Sequence, residues 1–209
     1  MSTNKIDYLD ELVKQAIQDN KAWEGSADSK EQTYLAKFAR DPGIKIIGEI
    51  GFNAGISSFT FLAANPNIII YSFDIAEYCY VEKAKKYIDD CFPGRHNLII
   101  GDSRKTVPEF KNKYPDIKFD LIFIDGSHEY EAAKADLMNM RSYAKQSTVL
   151  IIDDLTPWKP WGIGPTKAWQ YMNNEGLVRQ HELYRDGRPA KSIEPPGERS
   201  WASGRYTLS

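Results

Sequence analysis

The residues best suited to chemistry are acidic, and they stand at the ends of short apolar runs. One run closes as Ile124-Asp125-Gly126-Ser127-His128-Glu129-Tyr130, another as Ile151-Ile152-Asp153-Asp154. If the two runs are adjacent parallel strands, their carboxyl ends bring Asp125, Asp153 and Asp154 together. Three uncompensated carboxylates at one point repel each other. A hard cation resolves that repulsion, and all-oxygen ligation suits magnesium, manganese or calcium. His128, three residues beyond Asp125, titrates near neutrality and is a candidate base. Plainer roles also fit these residues: Asp125 or His128 as a helix cap, Asp153-Asp154 as a surface pair.

A second group of residues is suited to holding a ligand. Gly48-Glu49-Ile50-Gly51-Phe52-Asn53-Ala54-Gly55-Ile56-Ser57 follows an apolar run and opens a helical pattern. Its glycines permit a tight turn and close approach of a ligand to the main chain. The spacing is not GxGxxG, which argues against a dinucleotide. Asp74 ends the next run, where an acid can accept hydrogen bonds from a ribose; Glu77 is the reserve acid. Gly101-Asp102-Ser103 ends the third run, and Asp102 or Ser103 could meet an adenine edge. Loop and cap roles are again the plain alternatives.

Trp158 and Trp161 follow the acidic pair and could wall an acceptor pocket by stacking on a ring or sugar face. Surface anchoring or an oligomer contact would use them equally well. His96 and His181 have no partner at ligand spacing and receive no role. Lys83–Lys86 reads as a solvated helix face.

These residues need a scaffold that aligns strand ends. The runs Lys45–Ile50, Ile68–Phe73, Leu98–Ile100, Phe119–Ile124 and Thr148–Ile152 are almost continuously apolar, as in a parallel sheet covered on both faces. Helical periods lie between them: Val81, Ala84, Ile88, Cys91, and Tyr130, Ala133, Leu137, Met140, Ala144. Pro108 suits the first turn of a helix carrying Phe110 and Tyr114, and Pro165 the start of another with Ala168, Trp169 and Met172 inward. Alternating strands and helices predict an α/β, doubly wound sheet. Leu177–Tyr184 and Ser200–Leu208 read as final strands joined by a Gly/Pro-rich stretch, Arg185–Arg199, expected as a mobile lid at the acceptor mouth. Near the N-terminus, Ile6, Leu9, Val13 and Ile17 form one helical face, either core or oligomer contact.

Composition excludes several classes. With 27 basic against 29 acidic side chains, the chain has no electrostatic reason to bind nucleic acid. No apolar run approaches a membrane span, and Met1–Asp19 lacks a signal-peptide core. Two cysteines, Cys79 and Cys91, make neither a disulfide framework nor a cysteine zinc site. They are expected as reduced, buried thiols in a cytoplasmic protein.

The ordered set Glu49-Ile50-Gly51-Phe52-Asn53-Ala54-Gly55, Asp74, Gly101-Asp102-Ser103 resembles a class I S-adenosylmethionine-dependent methyltransferase, over about residues 30–155. That resemblance implies a Rossmann-like, seven-stranded sheet, mostly parallel with an antiparallel last strand. It implies one domain over 1–209: N-terminal helices to 40, a cofactor-binding core over 41–155, and acceptor-side loops with a final hairpin over 156–209. Glu49, Gly51, Asn53, Gly55, Ser57, Asp74, Asp102, Ser103 and Asp125 would surround the cofactor. The acidic motifs are similar to those of metal-dependent small-molecule O-methyltransferases of the catechol and antibiotic-sugar types. There Asp125, Asp153 and Asp154 match the magnesium ligands, with Asp154 in place of an asparagine. His128 stands where the catechol type has a catalytic lysine. The expectation is S-adenosylmethionine plus magnesium or manganese, Asp125 and His128 in catalysis, a small-molecule acceptor against Trp158 and Trp161, and a homodimer as a candidate assembly. A metal-free methyltransferase of nitrogen, carbon or carboxylate acceptors is the alternative, as is a non-catalytic nucleotide-binding module of the same fold.

Overall fold

A computed structural model describes residues 6–22 and 27–208. The apolar runs form β1 (Ile46–Ile50), β2 (Ile69–Asp74), β3 (His96–Ile100), β4 (Leu121–Ile124) and β5 (Val149–Ile152), all parallel. The chain then adds β6 (Val178–Arg185), the two-residue β7 (Arg188–Pro189) and β8 (Ser200–Tyr206). Spatial order is β3-β2-β1-β4-β5-β8-β6-β7, and β8 runs antiparallel to both of its neighbours. Among the described residues the sheet therefore has eight strands rather than seven. The extra one is a hairpin at the start of the Arg185–Arg199 stretch. Asp186 (φ 50°) and Gly187 (φ 79°) make a two-residue turn, and Arg185 pairs with Arg188. An Asp-Gly pair is the usual sequence for such a turn.

Helices cover both faces. On one lie α1 (Asp7–Gln18), α2 (Ser29–Ala39), α3 (Ile56–Ala64) and α4 (Val81–Cys91). On the other lie α5 (Ser103–Lys113), α6 (Tyr130–Met140) and α7 (Ile163–Asn174). The buried face of α1 is Leu9, Val13 and Ala16, whereas Ile17 is exposed. Burying a side chain such as Leu9 is worth about 1.5–3 kcal/mol, so this stripe docks α1 onto the core. Pro108 is mid-helix rather than in a first turn. Asp102 caps α5 by accepting from Arg104 N at 3.0 Å, which starts the helix at Ser103. Pro165 falls in the first turn of α7, with Ala168, Trp169 and Met172 buried as expected. Cys79 is exposed and Cys91 half-buried, so neither is a buried core thiol. No helix among the described residues is long and apolar enough to cross a membrane.

What matters for a site is how the strand ends align. Each parallel ladder continues one residue past its strand: Gly51 N donates to Phe73 O, Gly101 N to Asp74 O, Asp125 N to Ile50 O, and Asp153 N to Ile124 O. These four bonds bring the motif residues to one edge. The strand order reverses between β1 and β4, the place where such sheets bind ligands.

Candidate active site

The two chain ends at the switch point touch. Gly51 has φ +90°, and a Cβ there would lie 1.8 Å from the Asp125 carbonyl oxygen. Only glycine meets both demands. Beyond this contact opens a cleft of about 940 Å³ lined by residues from the ends of all five parallel strands.

One half of the cleft is built from main chain. Gly51, Asn53, Ser57, Asp74, Asp102 and Ser103 line it. Asp74 Oδ2 accepts from Phe52 N at 2.7 Å and Asn53 N at 2.8 Å, while Oδ1 accepts from Ala76 N at 2.6 Å. Asp74 thus fixes the glycine loop as well as facing the cleft. Tyr80 Oη donates to Asn53 Oδ1. Asp102 does more than expected: Arg104 grips it through Nε at 2.9 Å and Nη2 at 2.8 Å. Those bonds pull its carboxyl down to about 2. The neighbouring Ser103 stands beside Asp136, a fully buried carboxyl on α6 that burial pushes up to about 6.

Glu49 and Gly55 do not line this cleft. Glu49 is fully buried and accepts from the hydroxyls of Ser57, Ser58 and Ser72, each at 2.5 Å. Burial raises its carboxyl, and the three hydroxyls oppose that rise. Its place is beneath α3, holding the helix start to the sheet. His96, given no role above, joins this network through Nε2, 2.9 Å from Ser72 Oγ. Burial, aided by the charge of Lys85, lowers its pKa to about 3, so the ring is neutral. Gly55, at φ +75°, is the backbone turn that starts α3.

The other half is built from side chains brought together across the chain. Asp125, His128, Asp153, Asp154, Trp161 and Arg199 line it. The three predicted carboxylates converge, but they do not share one orientation. Asp154, in left-handed backbone (φ 60°), sends Oδ2 to His128 Nε2 at 2.9 Å. His128 is not a helix cap: Glu129 occupies that position in α6, and its N–H donates to Ser127 Oγ at 3.2 Å. Gly164 of α7 sets this loop in place, since a Cβ there would lie 2.0 Å from the His128 carbonyl.

Two residues absent from the sequence expectations complete this half. Glu31 of α2, 1% exposed, accepts from Arg199 Nη1 at 3.1 Å. Oxygens of Glu31, Asp125 and Asp153 lie within 4.8 Å of one another. Burial and then the charges of Asp153 and Asp154 hold the Asp125 carboxyl well above the usual range. Burial, followed by the charge of Asp154, pushes Asp153 up to about 7. For Glu31 burial also comes first, then Asp153 and Asp125. Glu31 Oε1 and Asp153 Oδ1 are sealed from solvent with no N–H or hydroxyl donor against them. Orphaned buried carboxylate oxygens of this kind fit a hard cation.

Trp158 is not a wall of the cleft. Its Nε1 donates to Gly197 O at 2.7 Å, and Lys159 pairs with Glu198 at 2.8 Å. Trp158 therefore braces the Arg185–Arg199 stretch, whose other end is tied by Asp186 accepting from Glu198 N and Arg199 N, both at 3.0 Å. Trp161 does face the cleft and is partly exposed.

A methyltransferase-domain family model matches residues 49–155, just over half of the chain. The chain belongs to the class I methyltransferases. S-adenosylmethionine is the methyl donor of that class, and the enzyme uses it. Solved structures share its fold. An O-methyltransferase from Bacillus cereus, in complex with S-adenosylhomocysteine, is 15% identical with a TM-score of 0.76, over 98% of this chain and 92% of that one. TomG from Streptomyces achromogenes, an O-methyltransferase of tomaymycin synthesis in complex with S-adenosylmethionine, is 14% identical with a TM-score of 0.76, over 100% and 92%. CalS11, a TDP-rhamnose 3′-O-methyltransferase of calicheamicin biosynthesis, is 21% identical with a TM-score of 0.64, over 97% and 93%. Comparison with curated proteins by sequence gave no significant match.

Proposed function

We propose that the enzyme methylates a hydroxyl of a small molecule with the help of a divalent cation. The observation that carries this reading is one cleft with two unlike ends. A backbone-built end holds Gly51 and Asp74, and a carboxylate end sets the His128–Asp154 pair beside Asp125 and Asp153. The O-methyltransferases of similar fold agree with an oxygen acceptor.

In this reading the donor lies along the Gly51 loop. Asp74 takes hydrogen bonds from its ribose, and Ser103, with Asp102 beside it, meets the adenine edge. Asn53 and Ser57 help shape the methionine end. Asp125 and Asp153 would hold magnesium or manganese, whose Lewis acidity lowers the pKa of an acceptor hydroxyl. Asp154 accepts from His128 Nε2, which leaves the basic lone pair on Nδ1. His128 takes the hydroxyl proton there. The oxygen forms its bond to the methyl carbon as the carbon–sulfur bond breaks, releasing S-adenosylhomocysteine. Trp161 stacks on the acceptor. Most of the rate comes from orienting two bound reactants.

One observation favours the metal-free alternative: Arg199 supplies a positive charge next to Glu31 inside the same cluster. Asp125 and Asp153 would then orient the acceptor directly. The acceptor atom is tested by supplying methyl-labelled S-adenosylmethionine with simple catechols, sugars and amines. Carbon NMR of the products should show methoxy signals. Methylamine products with no methoxy product would overturn the oxygen assignment.

A further inference from the structure

The helix that delivers Glu31 has an ordinary beginning. Asp28 caps α2 by accepting from Lys30 N and Glu31 N, both at 2.9 Å. A glutamate three residues after a cap usually folds back on the cap's own N–H. Glu31 does not. Its side chain turns inward to 1% exposure, and Oε2 meets Arg199 at 3.1 Å. Its second oxygen, Oε1, is buried with no N–H or hydroxyl donor against it, and the group that faces it is the carboxyl of Asp153. Asp153 Oδ1, in the same cluster and 4% exposed, is orphaned in the same way. Two buried carboxyls in contact need a proton or a cation between them.

The geometry points to Glu31 as the third protein ligand of the cation, with Asp125 and Asp153, in the place the sequence motif gives to Asp154. Two oxygens on opposite sides of one cation are separated by roughly 4–5 Å, twice a metal–oxygen distance of about 2.0–2.6 Å. Oxygens of Glu31, Asp125 and Asp153 all lie within 4.8 Å of one another, close enough to share one ion. Asp154 is engaged elsewhere, at 2.9 Å from His128. The two acids after β5 thus divide the work: Asp153 faces the cation and Asp154 orients the base. Arg199 acts as the counter-charge that Glu31 keeps when no cation is bound. The assignment couples α2 to the metal. It rests on the cation-assisted reading proposed above.

Manganese binding to the full chain tests it, followed by electron paramagnetic resonance and calorimetry. Glu31→Gln, Glu31→Ala and Asp154→Ala are compared with wild type. Titration with S-adenosylhomocysteine reports folding of each variant, because Glu31 and Asp154 lie in the carboxylate half. Wild type should bind manganese. Glu31→Ala should weaken it at least about tenfold and Glu31→Gln by a smaller factor, in line with losing one charged oxygen ligand. Asp154→Ala should change it less than about threefold while losing methyl transfer. Manganese binding by Glu31→Ala at wild-type affinity would overturn the assignment and leave the cation-assisted reading standing. A tenfold loss in Asp154→Ala with none in Glu31→Ala would return the ligand role to Asp154. Wild-type protein that binds S-adenosylhomocysteine but no manganese would overturn both.

Discussion

The two halves of the cleft are made in different ways. The donor half stands on strand ends: the Gly51 loop, Asp74 and Asp102 close β1, β2 and β3, Asp74 accepting from the main chain of the Gly51 loop and Asp102 from Arg104. The carboxylate half is assembled from the ends of β4 and β5, from α2 and from the residue before β8, with Glu31 and Arg199 separated by 168 residues. The donor half binds a fixed ligand and can be specified by short motifs. The carboxylate half gathers like charges at a cost, and only a bound group or a counter-charge repays it.

The comparison breaks most clearly if the halves prove inseparable. Asp153→Ala should reduce methyl transfer by roughly 10³-fold, the scale for removing a preorganised electrostatic group. S-adenosylhomocysteine affinity, measured by calorimetry, should change little. An equal loss in both would mean that the cleft works as one unit. His128→Ala should cost roughly 10²-fold in turnover, and the loss should shrink as pH rises and the acceptor ionises unaided. A pH-independent loss would leave His128 a positioning role only.

Beneath the donor half, Asp136 gives a stability test. Its carboxyl is raised from 3.8 to about 6 in the folded chain by burial. A folded pKa above the unfolded one contributes stability below about pH 4, and this is lost as pH rises through about 6. Asp136→Asn should therefore stabilise the protein by about 3 kcal/mol at pH 7.5 and by little at pH 4, seen in denaturant titrations at the two pH values. Last, Asp74→Asn should weaken S-adenosylhomocysteine binding about tenfold, as expected for losing a charged hydrogen-bond acceptor. Manganese affinity should not move. A change in manganese affinity would show that the Gly51 loop transmits strain to Asp125.

How far the sequence reaches follows the same division. Strand runs, their parallel order and the meeting of Asp125 with Asp153 are legible, because buried parallel strands are continuously apolar and their ends share an edge. Glu49 belongs to a legible motif, yet its role is hidden: only the register of β1 against β2 sets it opposite Ser72, beneath α3. Asp186-Gly187 carried a hairpin signal that the proline-rich remainder of the stretch obscured. Glu31 gave no signal of a site, because Asp28-Ser29-Lys30-Glu31 has the spacing of an ordinary capping box. Its inward turn depends on Arg199, far away in sequence. The orientation of Asp154 toward His128 depends on a left-handed φ that an Asp-Asp pair does not announce.

The central claim is that cation chemistry resides in the carboxylate half alone. Chelation tests it directly: S-adenosylhomocysteine binding and methyl transfer to a catechol are measured in EDTA and again after excess magnesium. The account predicts unchanged S-adenosylhomocysteine affinity throughout, with transfer abolished by EDTA and restored by magnesium. Full transfer in EDTA would contradict it, and would leave Asp125 and Asp153 as groups that orient the acceptor beside Arg199.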